Sequence, residues 1–238
     1  MEVYILKMRY LFISCFFLIV SVFSFSFSFT GSNESVNSII TKEKTLNSYN
    51  KALYDKLDLN DKLDFYVFNT AMEGYNKIQD RKKDLLTIID FSKPSTEQRF
   101  FIIDLDKEKV LVSSVVSHGK NSGSVLATSF SNKVNSHKSS LGFFLTENTY
   151  MGRNGYSLVL DGLEKNINDN AKKRHIVIHG AAYANPNFAK AQGRLGRSYG
   201  CPALPRNISK HAIDLIKGGS VIYSYANSSK YFETSLYV

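Results

Sequence analysis

The hydrophobic pattern divides the chain into stretches of different texture. Residues 10–33 carry no charge, and their apolar part reads LFISCFFLIVSVF, with Lys7 and Arg9 just ahead of it. Residues 31–45 are polar and read as a flexible lead. Leu46, Tyr49, Leu53 and Leu57 then recur at helical spacing, predicting a helix over 45–59. Leu63, Tyr66, Val67, Ala71, Tyr75 and Ile78 predict a second helix over 60–79, with Asn60 or Asp61 as its N-cap. From there the pattern turns to short strands, at 85–91, 99–105, 110–117, 142–146, 156–160, 175–179 and 221–225. A helix over 208–217 stops at Gly218-Gly219, as a glycine signal at a helix C-terminus should. Many short strands with few helices between them predict a mainly β fold with some α, a mixed β-sandwich or barrel-like core rather than a doubly wound sheet. The expected division is 1–30 as signal peptide or anchor, 31–80 as linker and helical pair, and 81–238 as the domain that carries the chemistry.

A basic start followed by a long apolar run is an export signal. The tail SFSFSFT sets small residues at alternate positions and suits a cut near Ser28 or Thr30, and the run is also long enough to span a bilayer uncut. Either way the remainder is expected outside the cytoplasm, in the periplasm or cell envelope, touching membrane only if residues 1–30 stay attached. Composition agrees with a folded domain: 43% hydrophobic and 21% charged residues rule out global disorder. The formal charge of +9 falls to +8 once Lys7, Arg9 and Glu2 leave with residues 1–30. Nucleic acid is a poor partner for an exported protein, so an anionic envelope polymer fits this charge better.

Removal of residues 1–30 takes Cys15 with it and leaves Cys201 as the one thiol, without a disulfide partner. An unpaired thiol in an oxidising compartment is either a reactive nucleophile or a buried small hydrophobe. Its surroundings favour chemistry. An apolar strand, IVIHG, closes on His179-Gly180, and the segment GRLGRSYGCPALP follows with Cys201 inside it. A nucleophilic thiol needs a base within hydrogen-bond reach, usually histidine, and amide donors for the oxyanion it creates. His179 is the expected base, and the amides of Tyr199, Gly200 and Cys201 are the expected donors. Gly200 permits a close backbone approach to substrate, whereas Pro202 has no amide to offer. Arg194 and Arg197 are placed to lower the thiol pKa or to hold a substrate carboxylate. His175, four residues before His179, shares its face if both lie on a strand. His118-Gly119 is a candidate pocket wall, while His137 and His211 read as loop and helix-surface residues. No histidine or cysteine pair has the setting of a zinc site.

Taken together these motifs resemble the peptidoglycan L,D-transpeptidase catalytic domain of the YkuD type, where H-G precedes [ST]-H-G-C. SSLGFF at 139–144 is similar to the T-P-x-G-x-F stretch of that family, and GRNGYSLVLDG at 152–162 suits its next strand. RSYGCPALP, with VSHG ending at Gly119 and FSN at 130–132, points to the divergent murein L,D-transpeptidase branch. Two positions depart: Tyr199 stands where most members have histidine, and Ala203 where most have arginine. The resemblance implies a cofactor-free acyl transfer on peptidoglycan stem tetrapeptides. Cys201 attacks the carbonyl of the third residue, D-alanine leaves, and a second stem's amine takes the thioester to form a 3→3 crosslink. It also implies acylation of the thiol by carbapenems, and a substrate pocket built with Arg197, Arg194, Ser198, Gly180 and His118. Water in place of the acceptor amine makes the same site an L,D-carboxypeptidase. A wall-binding module with a merely buried Cys201 is the reading from a different class.

Overall fold

The computed structural model describes residues 31–238, so the leader or anchor expected over 1–30 lies outside the described residues. No helix among the described residues is long and apolar enough to cross a membrane. Residues 46–238 form one compact unit, and the described residues 31–45 fall outside it.

Helix α1 runs from Gly31 to Lys56, so the lead expected to be flexible is helical. From Ser32 to Asp64 neither proline nor glycine interrupts the chain, and the helix propagates through a stretch whose side chains are mostly exposed from Thr41 to Tyr49. The apolar stripe packs only at its C-terminal end. Leu53 and Leu57 are buried, Tyr49 is exposed, and Tyr54 takes its place in the core with its hydroxyl donating to the Leu63 carbonyl. Asp58 then adopts a left-handed conformation (φ 52°), which short polar residues tolerate, and turns the chain. Helix α2 spans Phe65–Lys77, later than expected, because Asp64 caps it: its carboxylate accepts the Tyr66 amide at 2.7 Å. Asn50 of α1, fully buried, donates to Asn69 of α2 at 2.8 Å.

The strands are β1 (Leu85–Asp90), β2 (Phe100–Asp104), β3 (Lys109–Ser114), β4 (Gly142–Gly152), β5 (Gly155–Gly162), β6 (Val177–Ala181), β7 (Ala203–Pro205) and β8 (Val221–Tyr225). They form one eight-stranded sheet in the order β3-β2-β1-β8-β4-β5-β6-β7. Ser117, just past β3, bridges to Ala203 of β7 and Gly119 bridges to Ser198, which brings the two edges together into a nearly closed, barrel-like sheet. The barrel-like alternative of the expected fold is therefore the one found. Residues of β1, β2 and β8 are buried almost without exception. Helix α2 covers the outer face of β1 and β8, where Phe143 and Tyr223 stack at 4.3 Å and the Phe143 ring meets Gly74 of α2, while Ile89, Phe144, Leu160 and Ile222 pack together on the other face. That double burial is why these strands read as continuous apolar runs.

Three further helices follow: α3 (Pro186–Gln192), α4 (Arg206–Ile216) and α5 (Ser229–Thr234). Helix α4 lies against β6 and β7. The approach is close: a Cβ on Gly180 would sit 2.3 Å from the Ser209 hydroxyl. Gly180, expected to line a substrate pocket, does line the cleft that His179 faces, and its missing Cβ also lets α4 pack on β6.

Candidate active site

The site is built where β6 and β7 pair in parallel, with His179 opposite Ala203 and Gly180 opposite Leu204. Two residues upstream along the same register, Cys201 comes beside Val177 at the open end of the pair. Ala203, where most members have arginine, is fully buried in a cluster with Ala181, Ala184 and Tyr183, which a long side chain would have to displace.

Cys201 is half-buried and unpaired. Its thiol donates to the His175 carbonyl at 3.5 Å, not to His179. Burial pushes the thiol pKa up, while the Val177 amide and the Arg174 guanidinium pull against that rise. Two strand residues separate Cys201 from His179, a rise of roughly 6.6 Å, so the pair is adjacent but not joined in the resting site. Burial also lowers the His179 pKa, so that both groups rest neutral. His179 Nδ1 lies 3.2 Å from the Gly180 carbonyl. A carbonyl only accepts, so this contact selects the Nδ1–H tautomer and leaves Nε2 with the lone pair a base needs. His179 faces a cleft of about 620 Å³ that it lines together with Tyr183, Tyr156, Arg153, Arg206 and Ser209.

The loop before Cys201 is closed by a side chain. Ser198 Oγ donates to the Cys201 carbonyl at 2.6 Å and accepts the Gly200 amide at 3.0 Å. Ser198, expected to touch substrate, is buried and spent inside the turn. The Gly200 amide, expected as an oxyanion donor, is occupied by the same hydroxyl. Among the described residues the amides of Tyr199 and Cys201 are not hydrogen-bonded to another residue, which leaves them, and not the Gly200 amide, available as donors. Gly200 itself has φ +124°, and a Cβ there would lie 2.8 Å from the Lys138 carbonyl, so the loop requires glycine. Tyr199 is 68% exposed, its ring 4.6 Å from that of His137 and 4.4 Å from the Lys120 ammonium.

Three other expected contacts are made elsewhere. His118 is 1% exposed, and its Nδ1 accepts from the Arg99 guanidinium at 2.8 Å. Burial and that cation bring its pKa down to about 4, so it is a neutral structural ring rather than a pocket wall. Arg197 donates to the Lys120 and Gly123 carbonyls at 3.2 and 2.9 Å, bracing that loop. Arg194 donates to its neighbour, the Leu195 carbonyl, at 3.0 Å. The cations of the cleft are instead Arg153, in the β4–β5 turn, and Arg206, which opens α4. His175 lies before β6 in a left-handed conformation (φ 54°) with its ring exposed, so it offers the thiol a carbonyl and not an imidazole.

Tyr183 and Arg174 flank the thiol without having been singled out in the sequence. Tyr183 sits in the short turn Ala182–Ala184 after β6, and burial together with the nearby Cys201 raises its pKa to about 12. Its place four residues after His179 was the available signal. Arg174 was hidden in the run Lys172-Lys173-Arg174, which reads as a solvated approach to a strand. Among the described residues no three His, Cys, Asp or Glu side chains group to hold a metal ion.

The family model described as L,D-transpeptidase catalytic domain matches residues 59–225. No curated protein matches. Among solved structures, an L,D-transpeptidase from Mycobacterium smegmatis is 15% identical with a TM-score of 0.39, the match covering 60% of this chain and 59% of that one. An L,D-transpeptidase from Stackebrandtia nassauensis is 14% identical with a TM-score of 0.37, covering 68% of each chain. L,D-transpeptidase 1 of Mycobacterium tuberculosis is 13% identical with a TM-score of 0.35, covering 60% and 62%. The family model spans well over half of the 238 residues, from the start of the core to the last strand of the sheet, and the chain belongs to the L,D-transpeptidase catalytic domain family.

Proposed function

We propose that this protein is an exported cysteine acyltransferase that acts on peptidoglycan stem tetrapeptides, releases the terminal D-alanine and forms 3→3 crosslinks. The observation that carries the reading is the β6/β7 register. It sets the lone thiol of the chain beyond residue 30 beside the histidine strand, and His179 itself lines a cleft whose cations, Arg153 and Arg206, suit a substrate bearing carboxylates. The apolar run after Lys7 and Arg9 supports export.

In this mechanism the Cys201 thiol leaves the His175 carbonyl and gives its proton to His179 Nε2 as sulfur attacks the carbonyl of the third stem residue. The C–S bond forms, and the oxyanion of the tetrahedral intermediate takes hydrogen bonds from the Tyr199 and Cys201 amides. Collapse breaks the C–N bond; the imidazolium returns the proton to the departing amine, and D-alanine leaves a thioester on Cys201. The side-chain amine of a second stem then attacks, His179 takes its proton, and the thiolate departs to be reprotonated. Both groups rest neutral, so the ion pair forms only as substrate arrives.

Mass spectrometry of disaccharide tetrapeptides incubated with the protein tests the assignment. Dimers lacking one D-alanine are the expected product. Tripeptides alone identify an L,D-carboxypeptidase, and unchanged tetrapeptides with a folded protein refute the enzyme reading in favour of a wall-binding module.

A further inference from the structure

We propose that Arg174 is the positioning residue of the nucleophile: it anchors the Cys201 loop and supplies the positive charge that favours the thiolate. The assignment rests on Cys201 being the reactive thiol. Arg174 is half-buried, and it is bound from one side by a single loop. Its Nη1 donates to the Ser131 carbonyl at 2.6 Å and to the Ser140 hydroxyl, and its Nη2 to the Lys138 carbonyl at 2.5 Å and the Ser136 hydroxyl at 3.2 Å. Four acceptors fix a planar fork far better than they would fix an ammonium. None is a carboxylate, and among the described residues Arg174 has no acidic partner. Its charge is therefore not cancelled where it is held.

The guanidinium is held against the nucleophile's own loop. A Cβ on Gly200, the residue before Cys201, would lie 3.3 Å from Arg174 Nη2 and 2.8 Å from the Lys138 carbonyl to which that nitrogen donates. Ser139, next to Lys138, donates to the Gly200 carbonyl at 3.2 Å. On the other side, the residue after Arg174 provides the carbonyl that holds the thiol. One arginine thus connects the 131–140 loop, the Gly200-Cys201 turn and the main chain under the sulfur. The other titratable side chains around the thiol are Tyr183, from the turn after β6, and His179, from β6; both rest neutral, with burial raising the first and lowering the second. Arg174 is the cation that opposes the burial of the Cys201 thiol, and Arg194 and Arg197, the sequence's candidates for that task, bind carbonyls elsewhere.

The test is the pH dependence of alkylation by iodoacetamide, a small neutral reagent, on the full chain, read at Cys201 by peptide mass spectrometry to separate it from Cys15. Arg174→Gln should raise the midpoint by roughly one pH unit, a tenfold loss of alkylation rate at pH 7, the scale of one neighbouring charge. Arg174→Lys, which keeps the charge and loses the fork, should stay within about 0.3 unit of wild type while melting a few degrees lower. An unmoved midpoint in Arg174→Gln, or equal shifts in both variants, overturns the assignment and leaves Arg174 a loop brace. Should Arg174→Gln not fold, Ser136→Asp keeps the arginine and sets a carboxylate where its Nη2 now meets the Ser136 hydroxyl, cancelling the charge in place. That variant should raise the midpoint by about half a unit or more, and no change there also overturns the assignment. Alkylation requires no stem peptide, so a protein inactive on tetrapeptides yet showing these shifts refutes the substrate reading and not this one.

Discussion

Replacement of Ser198 by alanine separates two roles that the sequence alone cannot tell apart. If Ser198 touches substrate, its loss weakens binding and raises KM while kcat and the thiol's intrinsic reactivity stay unchanged. The structure spends the hydroxyl inside the loop, where it donates to the Cys201 carbonyl at 2.6 Å and accepts the buried Gly200 amide at 3.0 Å. Two net hydrogen bonds of about 1 kcal/mol each put the loss near 2 kcal/mol, with the stranded Gly200 N–H holding the value at or above that. For a domain of this size each kcal/mol moves the melting midpoint by roughly 2–4 °C, so a fall of about 4–8 °C is expected by calorimetry. The turn that presents Cys201 also slackens, so iodoacetamide alkylation and kcat should fall together while KM moves little. Ser198→Thr keeps the hydroxyl and should recover most of both. A raised KM with unchanged melting and unchanged alkylation would refute this account and return Ser198 to the substrate pocket.

Two further outcomes follow from the same geometry. His179→Ala should lower the acylation rate by about 10²–10⁴-fold with little change in melting, and the acid limb of the wild-type pH–rate profile should fall below pH 6.5, because burial lowers this imidazole and keeps it a free base to lower pH; an acid limb above 6.5 contradicts the neutral resting pair. Arg99, fully buried, donates to the Val116 and Lys93 carbonyls and to His118, so Arg99→Met should cost about 3–5 kcal/mol in urea unfolding, and a loss below about 1 kcal/mol would show that the network contributes little.

The sheet was legible wherever a strand is buried on both faces. Residues 221–225 were read to the residue, and 85–91 and 99–105 to within one position at each end, because unbroken apolar runs leave little choice. Strand β4 was cut short at 146: from Glu147 to Gly152 it projects mostly exposed residues, and its register with β5 shifts between Thr146 and Thr149. Strand β7 is three residues long and owes its existence to its neighbour β6 and to Ser117, which no local pattern announces. Helix α3 did carry a signal that went unread: Asn185 caps it, Pro186 opens it, and Gly193 ends it at φ 69°.

The candidate site was legible as a motif and not as a network. The H-G strand and the S-x-G-C turn identified the residues, but not which hydroxyls and amides were already occupied. Ser198, Gly200, His118 and Arg197 satisfy the protein's own backbone and side chains: His118 and Arg197 do so across 19 to 77 positions, invisible in a linear reading, and Ser198 and Gly200 within three, where only the shape of the turn decides which groups meet. Arg174 reversed the error. Beside two lysines it reads as part of a solvated run, yet its four acceptors lie 34 to 43 positions upstream.

The central claim is that Cys201 carries the acyl group, and the intact mass of the protein mixed with excess tetrapeptide stem, quenched in acid during turnover, tests it most directly. The account predicts an adduct equal to the stem less D-alanine, mapped by peptide sequencing to Cys201, labile to hydroxylamine as a thioester is, and absent from Cys201→Ala. Turnover persisting in Cys201→Ala, or an adduct carried by any other residue, would contradict it.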